Sequence, residues 1–157
     1  MIYVLKNKDM DVLKFEVVSN LRDPEVNIVW ISQDQKALLP LDLKASNDSL
    51  ARWLKNRTIP RNRAFVNAFS INRPMDIISV SKGLSLNDCF WVVPEDFDGT
   101  FEANNLYDNP FNTILSYIAF TGTGSSTRTS LHSSPEFTTN GMLPKCWRRL
   151  KGKVMLF

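Results

Sequence analysis

The chain has 157 residues, 43% of them hydrophobic and 11% aromatic, which is enough apolar material to bury one compact core and too much for a disordered or fibrous protein. No run approaches about eighteen apolar residues, and the N-terminus opens on a strand-like pattern in place of a basic and apolar leader, so the expectation is a soluble, cytoplasmic protein without a membrane partner. The net charge of +3 hides an asymmetry: residues 83–127 contain Asp88, Glu95, Asp96, Asp98, Glu102 and Asp108 but no lysine or arginine, whereas residues 128–157 contain Arg128, Lys145, Arg148, Arg149, Lys151 and Lys153 against Glu136 alone.

Ile2 to Lys6 and Val12 to Val17 are β-rich runs, and in the second Leu13, Phe15 and Val17 alternate with Lys14 and Glu16, as in a hairpin with one buried face. Val26 to Ile31 and Ala37 to Leu41 read as a second strand pair, with Pro40 pushing the latter to an edge or a strand end. Ser46 is placed to cap a helix running to Arg57, because Leu50, Trp53 and Leu54 fall on one face and basic residues sit near the negative end of the helix dipole. Pro60 ends that helix, and a second short one is expected over residues 61–69 with Phe65, Ala68 and Phe69 as its apolar side. Arg52, Lys55, Arg57, Arg61 and Arg63, with no intervening acid, form a basic surface that invites a helix-turn-helix reading with nucleic acid as partner; the competing reading is a helical corner packed through Trp53 with its charges in water.

Met75 to Val80 and Cys89 to Val93 are expected to be further strands, with Trp91 in the core. Residues 94–105 read as an acidic loop that lacks the ligand spacing of a calcium site. Asp108 or Asn109 caps the next helix, in which Pro110 takes the first position and Phe111, Ile114, Leu115 and Ile118 form a core-facing stripe. Residues 121–140 are rich in Thr, Gly and Ser with little to bury, and read as a flexible tether. Cys89 and Cys146 lie beside Phe90 and Trp147, where free cysteines behave as small hydrophobes, and His132 alone with no CxxC pattern argues against a structural metal.

The last twenty residues carry the one stretch shaped for a phosphate. Thr138, Thr139 and Asn140 lead into Gly141, which can take positive φ and turn backbone N–H groups toward an anion, and Lys145 supplies a point charge four residues on. A basic β-hairpin with Arg148 and Arg149 on its surface comes next; an ordinary turn entering a hairpin is the alternative reading of the same residues.

Four landmarks occur in order: Met1-Ile-Tyr-Val-Leu-Lys-Asn-Lys with Val12-Leu-Lys-Phe-Glu-Val; Ser49-Leu-Ala-Arg-Trp-Leu-Lys-Asn-Arg-Thr-Ile-Pro-Arg; Gly83-Leu-Ser-Leu-Asn-Asp-Cys-Phe-Trp-Val-Val-Pro; and Ser134-Pro-Glu-Phe-Thr-Thr-Asn-Gly-Met-Leu-Pro-Lys-Cys-Trp. Together they resemble the N-terminal region of HipA-like serine/threonine kinases, in the divergent branch found in Firmicutes and their phages. The resemblance implies an α+β fold, a small antiparallel sheet with packed helices followed by a helix and a C-terminal β-hairpin like the start of a kinase N-lobe. It divides one compact unit into a subdomain over residues 1–120, a loop over 121–140 and the N-lobe hairpin from 141 to 157. It makes Gly141 and Lys145 the loop glycine and lysine, and puts Thr138 and Asn140 where relatives often place loop serines that can be autophosphorylated; Asn140 has no hydroxyl to phosphorylate, and Pro144 and Trp147 also depart from the commoner loop.

The resemblance further implies a chain that stops before the catalytic and magnesium-binding residues. It is therefore expected to be non-catalytic and without a cofactor by itself, and to bind ATP and magnesium only when completed by the rest of the kinase. An antitoxin-like or phage-borne inhibitor that binds a protein partner, either a full kinase or a host target, is the alternative.

Overall fold

The computed structural model of the chain describes residues 1–34, 38–58, 73–109, 147–150 and 153–156. Four strands, β1 (Ile2–Asn7), β2 (Met10–Asn20), β3 (Pro24–Ile31) and β4 (Phe90–Pro94), form an antiparallel sheet in the order β3-β2-β1-β4. Helices α1 (Asn47–Asn56), α2 (Pro74–Ser81) and the single-turn α3 (Phe101–Asn104) accompany it, and β5 (Trp147–Leu150) pairs with β6 (Lys153–Leu156) in a separate two-stranded sheet. The fold is α+β, as the alternation in the strands and the helical spacing at Leu50, Trp53 and Leu54 require. No helix among the described residues is long and apolar enough to cross a membrane.

Register explains which side chains meet. Tyr3 stands opposite Phe15 and Leu5 opposite Leu13, while Leu5 also faces Val92 of β4, so these residues share one face of the sheet. The Tyr3 and Phe15 rings stack at 5.7 Å between centroids. That face buries Leu5, Leu13, Phe15 and Val92 together with Leu50, Trp53 and Leu54 of α1 and Met75 and Ile78 of α2. On the opposite face Val4 meets Val93, and Trp91 and Val93 pack with Leu84, Phe101 and Leu106 in a second cluster. Phe97 and Phe101 approach the Trp91 ring edge-on, at 5.8 and 5.9 Å. β4 is thus sandwiched, and its apolar run Trp91-Val92-Val93 is buried on both faces.

Local chemistry sets the helix boundaries. Ser46 Oγ accepts the Ser49 N–H at the start of α1, Asp48 occupies its first turn and Lys55 its last. Asn47 Oδ1 accepts the Ile28 N–H at 3.0 Å and ties the helix to the edge strand β3. α2 begins with Pro74 at its first position and has no cap from its own N-cap residue, Arg73. The cap comes from β2: Asn20 Oδ1 accepts the Met75 N–H at 3.1 Å, and Asn20 Nδ2 donates to Asp76 Oδ1 at 2.9 Å.

Three expectations about the elements are corrected. Residues 75–80, read as a strand, lie in α2; the β-branched content of Ile77, Ile78 and Val80 suggested β, but Pro74 at the helix start and Lys82 and Gly83 in left-handed conformation at its end are helix punctuation. Residues 38–41 do not pair as a strand: Leu43 N–H bonds to Pro40 O in a turn, with Leu38 and Leu39 lying against the core. The acidic segment 94–105, read as a loop, closes with α3, whose N-cap Thr100 accepts the Ala103 N–H. The helices expected over 61–69 and 110–118 and the tether over 121–140 lie outside the described residues.

Candidate functional site

Thr138, Thr139, Asn140, Gly141 and Lys145, along with Arg61, Arg63, His132 and Cys146, lie outside the described residues. The strands C-terminal to them are described: β5 and β6 form an antiparallel hairpin that pairs Arg148 with Met155 and Arg149 with Val154. The basic hairpin read from the sequence is therefore present, with Arg148 and Arg149 as neighbours on its first strand.

The basic run on α1 divides. Arg52 and Lys55 are exposed, and Lys55 forms an ion pair with Asp23. Arg57, expected on the surface, is a correction, being 8% exposed. It is the C-cap residue of α1, and its guanidinium carbon lies 4.3 Å from the centre of the Trp53 ring, one turn back along the helix. Its fork grips both carboxylate oxygens of Asp88, with Nη1 to Oδ1 at 3.1 Å, and Nη1 also reaches Gly83 O at 3.4 Å. A planar cation stacked on an indole and held by a two-pronged carboxylate has its donors directed inward, so it has little left to offer a phosphate.

Asp88 has a second task, since its Oδ1 accepts the Phe90 N–H at 3.0 Å and starts β4. The node therefore joins the end of α1 in the first cluster to the segment that carries Trp91 in the second. Of the other acids in the segment, Glu95 pairs with Lys14 at 2.9 Å and Asp108 Oδ2 accepts from Asn105 Nδ2 at 3.1 Å. These carboxylates serve the fold around them, and among the described residues no group of three His, Cys, Asp or Glu side chains is placed to hold a metal.

A second cation was not anticipated. Lys82 caps α2 at φ 54°, and its amine donates to Asn104 Oδ1 at 2.7 Å while lying 5.3 Å from the Phe97 ring centre. Burial pushes this amine below the ordinary lysine pKa, whereas Lys14, hydrogen-bonded to Glu95, is raised above it. Gly99 makes the aromatic approach feasible, because a Cβ there would stand 2.5 Å from Phe97 Cε1. The signal that could have found Lys82 is the Lys-Gly pair after the proline-opened octet Pro74–Ser81, once that octet is read as a helix.

The β1–β2 turn is also fastened into this region. Lys8 N–H bonds to Cys89 O, Trp91 Nε1 donates to Lys8 O at 2.6 Å, and the Phe101 N–H donates to Asp9 Oδ1 at 2.7 Å. Hydrogen bonds to backbone and side chains thus tie the β1–β2 turn to β4 and to the start of α3.

No protein-family model matches the chain, and no curated protein or solved structure matches it.

Proposed function

We propose that the chain is the N-terminal, non-catalytic portion of a HipA-like serine/threonine protein kinase, and that it contributes a phosphate loop to an ATP site completed by the rest of the kinase. The observation that carries this reading is the β5–β6 hairpin, which begins two residues after Lys145. In a kinase-type N-lobe the glycine loop that covers the phosphates is held by strands, and a paired strand after the loop helps its N–H groups and the next lysine hold their aim. The order Thr138-Thr-Asn-Gly141, Lys145, then a paired strand bearing Arg148 and Arg149 supports a loop of that kind. The nucleic-acid reading loses support in the same measure as Arg57 is drawn into its ion pair with Asp88.

In this role Gly141 lets the backbone approach the phosphates, Lys145 neutralises charge, and magnesium is held by residues of the remaining kinase. Calorimetric titration of magnesium-ATP tests it on three proteins: the 157-residue chain, the chain joined to a HipA-like C-terminal half, and that fusion with Gly141→Val. The chain alone should bind feebly and transfer no phosphate, the fusion should bind, and the substitution should weaken binding about tenfold or more, equivalent to roughly 1.4 kcal/mol, with the fold intact. Tight binding by the chain alone, or equal binding by both fusions, overturns the assignment.

A further inference from the structure

We draw no further inference here: the strongest candidate, the open part of the outer sheet face where Ile2 and Trp30 lie exposed beside Lys14 and Glu16 on β1, β2 and β3, is an unpartnered surface, and nothing in the structure shows what covers it.

Discussion

The two hydrophobic clusters on either side of the sheet are built by different means. The first is made of regular elements: Leu13 and Phe15 alternate along β2, Leu50, Trp53 and Leu54 recur at helical spacing, and the strands and α1 bring them together. The second rests on β4, one helical turn and connecting segments, and side chains bonding to backbone hold those segments in place: Asp9 to Phe101, Trp91 to Lys8, Asn105 to Tyr107 and Asp108. Periodic burial is enough to position a helix on a sheet, whereas a loop-built core requires that each turn find its own polar partner.

Removing the largest ring from each cluster is the strongest way to test that difference. Trp91→Ala and Trp53→Ala should each destabilise the protein by roughly 3–5 kcal/mol, read by chemical denaturation. Both rings are buried, at 0% and 3% exposure. The two should differ in where order is lost: hydrogen exchange after Trp91→Ala should rise first across residues 84–106, and after Trp53→Ala first along α1. Identical exchange profiles in the two variants would mean that the clusters are a single cooperative core.

The contrast also explains what the sequence made legible. Strands β1, β2, β3 and β4, helix α1 and the burial of Trp53 and Trp91 follow from periodicity and from Ser46. α2 was missed because Asp76-Ile-Ile-Ser-Val carries β-branched residues, and its cap arrives from Asn20 on another strand, which no local window contains. The role of Arg57 was missed for a related reason, as its partner Asp88 is distant in sequence and a run of basic residues reads as surface until one of them is seen to turn inward. The β5–β6 hairpin was legible, while the loop proposed to hold phosphate lies outside the described residues.

A narrower perturbation acts on the second cluster alone. Asn105 is 3% exposed, and its Oδ1 accepts the Tyr107 and Asp108 N–H groups, both at 2.8 Å, while its amide donates to Glu102 O and Asp108 Oδ2. Asn105→Ala leaves those backbone donors without their acceptor and should destabilise by about 1–3 kcal/mol. Amide exchange should accelerate at Tyr107 and Asp108 and stay unchanged in α1. Faster exchange in α1 would refute the claim that the bonds act locally.

The smallest expected effect is a difference between two lysines. Burial lowers the Lys82 pKa in the folded state, so the folded protein binds that proton less tightly than the unfolded chain, and this group makes stability rise as pH climbs through its folded pKa toward the ordinary value of 10.5. Lys14 behaves oppositely: its hydrogen bond to Glu95 raises its pKa, so its contribution is present below 10.5 and lost as pH rises through the folded value. A carbon-13 NMR titration of the two Cε resonances should place the Lys82 midpoint below 10.5 and the Lys14 midpoint above it. The reverse order would show that the Asn104 and Phe97 contacts outweigh burial at Lys82.

Arg57, 8% exposed, links the end of α1 to the segment that carries Trp91 through its ion pair with Asp88. A double-mutant cycle of Arg57→Met and Asp88→Asn tests it, because asparagine keeps an acceptor for the Phe90 N–H while removing the charge that Arg57 grips. Urea denaturation should give a coupling of about 1–3 kcal/mol between the two sites, with both variants retained on a DNA column like the wild type across a salt series. Additive effects within about 0.5 kcal/mol, together with weaker retention of Arg57→Met on DNA, would contradict the account and return Arg57 to the basic surface.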